Sequence, residues 1–169
     1  HKELFEEALS SLIPSNAVKR MASLAIDKIH RMGPANCSTF VHLRVEMDWR
    51  EHCKNWLPAV SSDNSIDCLV NVPEIIDHLH QLKVSHCTIV IAYDSNDVDV
   101  AARREIQDMK LSSGMTVLDL NDILPSADFP REIRAGAAAL IAQEDADFFV
   151  GNSVSTLSAM IIRKRRQQG

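Results

Sequence analysis

The 169 residues carry 46% hydrophobic and 24% charged side chains, enough apolar material for one packed domain and too much for disorder. Only 5% are aromatic and the formal net charge is −5, which argues against a stacking platform for single-stranded nucleic acid and against electrostatic attraction to nucleic acid of any kind. No run of about 18 apolar residues occurs, so no membrane segment is expected in this chain.

Along the chain, Leu4, Phe5, Ala8, Leu9 and Leu12 recur at helical spacing, and Pro14 interrupts them. Ser15 or Asn16 can cap a second helix with Val18, Met21, Ala22, Ala25, Ile26 and Ile29 on one side, stopped by Gly33-Pro34. A strand is expected from Ser38 to Val45, and residues 46–56 read as a loop leading into a helix. Residues 61–65 read as a turn and Ile66 to Val70 as a strand. Pro73 opens a helix through Leu82. His86 to Tyr93 is a continuous apolar run of the kind a parallel sheet buries on both faces. A helix to about Lys110, a strand from Met115 to Leu120, a loop from Pro125 to Pro130 and a helix from Arg131 to Glu144 come next. A short strand, Phe148 to Val150, and a helix from about Ser153 to Arg166 complete the order. Strands alternating with helices imply βαβ crossovers, a mainly parallel sheet covered on both faces and a Rossmann-like three-layer α/β fold. The chain reads as a single domain, residues 1–169, with a helical lead-in over about 1–33 and an α/β core over about 37–169.

Ligands of such sheets sit beyond the carboxyl ends of the strands, and two stretches there carry chemistry. The first is His42-Leu43-Arg44 with Glu46, Asp48 and Trp49 behind it. His42 and Arg44 would face one side of a strand, and a guanidinium offers a fork of donors matched to phosphate oxygens. Pairing of Arg44 with Glu46 or Asp48 is the equally good structural alternative. The second runs from Asp147 to Ser158, where a strand stops at Gly151 and a helix rich in small hydroxyls begins. Free N–H groups at a helix start attract anions, and a glycine there lets backbone approach a ligand. An ordinary capped helix is the plain alternative. Neither G-x-G-x-x-G nor a Walker A loop occurs. Asp94 and Asp97 follow a strand and could meet a ribose or base, or simply cap a loop. Arg163-Lys164-Arg165-Arg166 reads as a solvated helix end matched to the helix dipole.

Cys37, Cys53, Cys68 and Cys87 have no C-x-x-C spacing, so zinc is not expected. Their even count permits two disulfides and leaves the pairing open. The chain starts at His1-Lys2-Glu3 without an initiator Met, which reads as a processed product or an excised domain.

Two stretches together resemble the donor-binding half of the GDP-fucose protein O-fucosyltransferase superfamily. Phe40-Val41-His42-Leu43-Arg44-Val45-Glu46-Met47-Asp48-Trp49 is similar to that family's H-x-R strand end and its acidic follow-on. Asp147 to Ser158 is similar to its F-I-G-N-S-V-S-T-F-S block. The resemblance implies the C-terminal half of a two-domain GT-B glycosyltransferase, with the N-terminal, acceptor-binding domain missing from this chain. It implies a GDP-sugar as donor substrate, a protein or glycan as acceptor, and inverting transfer without a metal or other cofactor. It implies that Arg44 meets the diphosphate and helps GDP leave, and that His42 lies beside the nucleotide. Ser155, Thr156 and nearby backbone would bind phosphate, with Asn152 and Ser153 supporting the turn. By resemblance the compartment would be the secretory pathway. The sequence departs from the family at Ala138 and Ala139, where relatives carry an acid that contacts the base, and at Leu157, where they carry Phe. The departure at Ala138 and Ala139 favours the alternative of an inactive nucleotide-binding or interaction module of the same fold. A third reading is an α/β enzyme for another nucleotide.

Overall fold

A computed structural model describes residues 13–33, 36–60, 71–124, 129–152 and 155–168. The expected first helix and the expected strand over residues 66–70 lie outside the described residues.

Helix α1 spans Asn16–Met32; Ser15 is its N-cap, its hydroxyl accepting from the Val18 N–H at 3.3 Å. Strand β1 is Ser38–His42, and helix α2 is Met47–Val60. Helix α3, Val72–Gln81, opens on a capping box in which Asn71 and Glu74 exchange side-chain-to-backbone bonds. Strand β2 is Thr88–Ala92 and helix α4 is Val100–Ser112, capped by Asp99. Gly114, at φ 71°, turns the chain into strand β3, Val117–Asp119, in a left-handed conformation that suits glycine. A one-turn helix α5, Leu120–Ile123, leads towards helix α6, Arg131–Glu144. Strand β4 is Phe148–Val150, and helix α7 is Thr156–Gln168.

The four strands form one parallel sheet in the order β3-β2-β1-β4. Residue alternation sorts the core into two layers. Phe40, Val90 and Ala92 turn to one face, against Met21, Ala25 and Ile29 of α1 and Leu140 and Ile141 of α6. Val41, Ile89 and Ile91 turn to the other, against Ile75 and Leu79 of α3 and Ile106 and Met109 of α4. Helices thus cover both faces, as the α/β reading requires. The lead-in helix α1 is part of this core: a Cβ on Gly136 of α6 would lie 3.0 Å from Val18. Among the described residues no helix is long and apolar enough to cross a membrane.

Several boundaries differ from expectation. β1 ends at His42 rather than Val45, because Met47 opens a helix at once and Glu46 is drawn inward to accept the Asp94 N–H at 3.1 Å. The stretch expected as loop after residue 46 is therefore α2. β3 is shorter than expected because the Asp119 carboxylate accepts from the Asn121 N–H at 2.8 Å and caps α5. α7 starts at Thr156 rather than near Ser153.

Cysteines Cys37 and Cys87 form a disulfide that joins the beginnings of β1 and β2, and Cys53 is also disulfide-bonded. The cluster of Cys37, Cys87 and His86 has ligand atoms close enough for a metal, but its two sulfurs are spent on each other.

Candidate functional site

In the order 3-2-1-4 the direction of winding reverses between β1 and β4, and the crevice above that reversal is where open α/β sheets bind ligands. An open hollow of about 700 Å³, counting the space continuous with solvent, lies at these carboxyl ends. One wall is polar and comes from the ends of β1 and β2: His42, Arg44, Glu46, Tyr93 and Asp94. The opposite wall is mostly hydrocarbon: Leu120, Leu124, Ala135, Ala138 and Leu157, interrupted by Asn121, Arg131 and Arg134.

Arg44 leaves the end of β1 with 20% of its side chain exposed. Its guanidinium lies 3.6 Å from the buried Glu46 carboxylate, 4.0 Å from Asp48 and 4.4 Å from the centre of the Trp49 ring. Pairing with Glu46 and Asp48, one of the two readings of the sequence, is therefore realised. The Nε of Arg44 remains buried without a hydrogen-bond partner, and the side chain still lines the hollow. An aromatic face and two carboxylates fix the guanidinium in place before any ligand arrives.

His42 sits beside it. Burial first, and the Arg44 charge second, lower its pKa to about 4, so the ring is neutral at physiological pH. Its Nδ1 shares a 2.9 Å hydrogen bond with the Ser158 hydroxyl, which also accepts from the Asn152 N–H at 3.1 Å. These bonds lock the end of β1 to the β4–α7 connection and leave His42 facing the hollow. Ser158 and Asn152 are thus positioning groups for the ring.

Asp94 also lines the hollow, but its carboxylate is already taken: it pairs with Arg131 at 2.7 Å and accepts from the Asn96 N–H at 3.1 Å. Tyr93 donates to Asp119 at 2.7 Å, and burial followed by that carboxylate raises its pKa, so it stays a phenol.

The second predicted stretch meets the hollow differently from expectation. Leu157, in the first turn of α7, is its contribution to the lining. Asn152 and Ser155 are buried, Thr156 is exposed, and Gly151, Asn152, Ser155 and Thr156 do not line the hollow. Ser153 lies outside the described residues. Gly151 answers a packing need: a Cβ there would come within 2.6 Å of the Ser158 hydroxyl and 2.7 Å of the Phe149 ring.

Among the polar lining residues, Tyr93, Asn121, Arg131 and Arg134 escaped the sequence reading, and Glu46 was legible only as a partner for Arg44. Helical spacing of 131, 134, 135 and 138 could have revealed the shared face. Of the positions where the sequence departs from the resemblance, Ala138 and Leu157 open on the hollow and Ala139 does not line it. Two Asp-x-Asp stretches, Asp97-Val98-Asp99 and Asp145-Ala146-Asp147, have a spacing able to hold a divalent cation. Asp97 accepts from the Asp48 N–H and Asp99 caps α4 and pairs with Arg50 at 2.9 Å. Asp145 pairs with His30, and Asp147 accepts from the Ser38 N–H at the far end of the sheet. All four carboxylates are engaged within the chain. The basic run at the C-terminus is partly structural: Arg165 donates to the carbonyls of Ala142, Ala146 and Asp147.

Fold and hollow define a Rossmann-like α/β domain with a ligand crevice at the reversal of strand order. Solved structures that it resembles include several of POFUT1. In complex with GDP, POFUT1 superposes with a TM-score of 0.55 at 17% identity, covering 89% of this chain and 45% of that one. In complex with GDP-fucose the TM-score is 0.54 at 16% identity, covering 92% of this chain and 44% of that one. The chain therefore spans less than half the length of the structures it matches. No protein-family model and no curated protein matches it.

Proposed function

We propose that this chain is the donor-binding domain of a GT-B glycosyltransferase that binds GDP-fucose, or another GDP-sugar, for inverting O-fucosyl transfer to a protein or glycan without a metal. The observation that carries the reading is the convergence of Arg44, His42 and the first turn of α7 on one hollow at the carboxyl ends of parallel strands. POFUT1, the protein with the similar fold, is described with GDP and with GDP-fucose.

The chemistry follows from the proposed pose. The acceptor oxygen attacks the anomeric carbon from the side opposite the diphosphate. The bond to the phosphate oxygen breaks, and its electron pair leaves with GDP. The guanidinium of Arg44 and the N-terminal end of α7, which reaches the hollow at Leu157, oppose the negative charge that grows on that oxygen. Loss of one such donor costs about 3–4 kcal/mol in the barrier, so a divalent cation need not be added. His42, held neutral, contributes a hydrogen bond without repelling Arg44. The acceptor proton goes to a base outside this chain, in the missing N-terminal domain. The chain alone is expected to bind nucleotide weakly and to transfer no sugar.

Calorimetric titration with GDP, GDP-fucose, UDP and ADP tests the reading. Preference for GDP and GDP-fucose, weakened roughly 10- to 150-fold by Arg44→Ala through loss of charge-assisted hydrogen bonds, is the expected result. The second reading, an inactive module of the same fold, draws on the engagement of Arg44 by Glu46 and Asp48. Absence of heat with every nucleotide would favour it, and UDP or ADP preference would favour a different nucleotide enzyme.

A further inference from the structure

Three arginines and two carboxylates line the hollow, a surplus of one positive charge in a chain whose formal net charge is −5. Two of the arginines are matched: Arg44 with Glu46 and Asp48, Arg131 with Asp94. The third is Arg134, half-buried on α6, which makes no side-chain hydrogen bond or ion pair among the described residues, and its Nε is buried without a partner. That Nε is cut off from water with no partner among the described residues, a cost that an acceptor on a bound ligand would offset. Its neighbours in the hollow, Ala135, Ala138, Leu157 and Leu124, are apolar and suit the flat face of a ring.

On the nucleotide reading given above, the diphosphate belongs at the polar wall with Arg44, and the base therefore belongs at the apolar wall with Arg134. The α6 wall presents cations and methyl groups and no acceptor side chain: Arg131, Arg134, Ala135 and Ala138. A base edge turned towards it must offer acceptors. Guanine offers two side by side, O6 and N7, spaced for the two parallel N–H bonds of a guanidinium. Adenine offers N7 beside an amino donor, and uracil offers a single carbonyl on that edge. We infer that Arg134 is the base-specificity residue of this hollow and selects guanine by its O6/N7 edge. Recognition is then by donors from the protein, the reverse of reading guanine's N1–H and amino group with a carboxylate.

Two analogues separate these modes. Inosine diphosphate keeps O6 and N7 and lacks the amino group; 7-deaza-GDP keeps the amino group and lacks N7. Titration of the chain with GDP, IDP, 7-deaza-GDP and ADP is expected to give GDP and IDP affinities within about threefold. ADP and 7-deaza-GDP should be weaker by roughly tenfold or more, the usual discrimination of a bidentate arginine. Arg134→Ala should bring GDP down to the ADP level and leave ADP unchanged. Arg134→Lys, which keeps the charge and loses the fork, should lose the same discrimination, with the thermal midpoint of each variant showing that it folds. A large loss on IDP, equal binding of GDP and 7-deaza-GDP, or GDP selectivity that survives in Arg134→Ala would overturn the role of Arg134 and leave nucleotide binding intact. Absence of binding by all four would instead overturn the nucleotide reading, and Arg134's role with it.

Discussion

The guanidinium of Arg44 and the imidazole of His42 sit side by side because one is held charged and the other is held neutral. Arg44 has two carboxylates and an indole face around it; His42 has burial and a serine hydroxyl. The depressed His42 pKa has a consequence for stability. In the unfolded chain this ring protonates near its ordinary value of 6.5, while in the fold it resists until about 4. Between those values the unfolded state holds the extra proton, so stability rises with pH across that window. The share contributed by His42 is complete above pH 6.5, falls as the pH drops towards 4 and is constant below; its full size is of the order of 3 kcal/mol. Urea unfolding at pH 7 and at pH 4.5 should therefore show a smaller acid loss for His42→Gln than for the unaltered chain. Equal losses in the two proteins would remove His42 as the source. Both residues were legible in the sequence as an H-x-R strand end. Arg134 was not, because an arginine on an Ala-rich helix resembles any solvated cation until the fold places it in the hollow.

At the scale of elements, the β4–α7 connection matters more for packing than its hydroxyl-rich sequence implies. Gly151→Ala forces a Cβ against Phe149 and the Ser158 hydroxyl, the group that holds His42. Overpacking of this kind costs about 1–3 kcal/mol. The variant is expected to unfold earlier in urea, and the His42 ring resonances should shift as its serine partner moves. A variant with unchanged stability and an unchanged His42 signal would show that the turn has room to spare. Arg165 ties the end of α7 to the C-terminus of α6 and the start of β4 through three carbonyls. Arg165→Ala should cost about 2–3 kcal/mol, well above the few tenths expected of Lys164→Ala, which chemical denaturation of the two variants can compare. The sequence marked α6 and β4 to the residue, because an Ala-rich run bounded by Pro130 and a short aromatic strand before a glycine leave little choice. It misplaced the ends of β1 and β3. Both are cut short by acidic side chains, Glu46 and Asp119, whose backbone partners lie 48 residues on and two residues on. Only the first of those bonds is beyond local reading; the second is an Asp cap that the strand pattern concealed.

At the scale of the whole molecule, the sheet is pinned at one end and open at the other. The Cys37–Cys87 disulfide, closing a separation of 50 residues, joins β1 and β2 at the end away from the hollow. A loop of that size is worth about 4 kcal/mol in chain entropy. Replacing both cysteines by Ala should lower the unfolding free energy by that order while leaving nucleotide affinity within a factor of two, since the opposite strand ends form the site. A matching loss of affinity would place the staple and the hollow in one cooperative unit. Parallel α/β architecture was readable from the alternation of strands and helices, and strand order 3-2-1-4 places the reversal where His42 and Arg44 were expected. The pairing of cysteines was not readable, since four cysteines allow three arrangements. Nor was the composition of the far wall, which gathers Leu120, Leu124, Arg134, Ala138 and Leu157 from three segments of the chain. The claim that joins these scales is that one hollow receives a nucleoside diphosphate with its phosphates on Arg44. A crystal structure of the chain soaked with GDP tests it directly. Diphosphate density within hydrogen-bond reach of the Arg44 guanidinium, with the base against Ala138 and Leu157, is the expected result; a hollow left empty at saturating GDP, or nucleotide bound elsewhere on the surface, would contradict it.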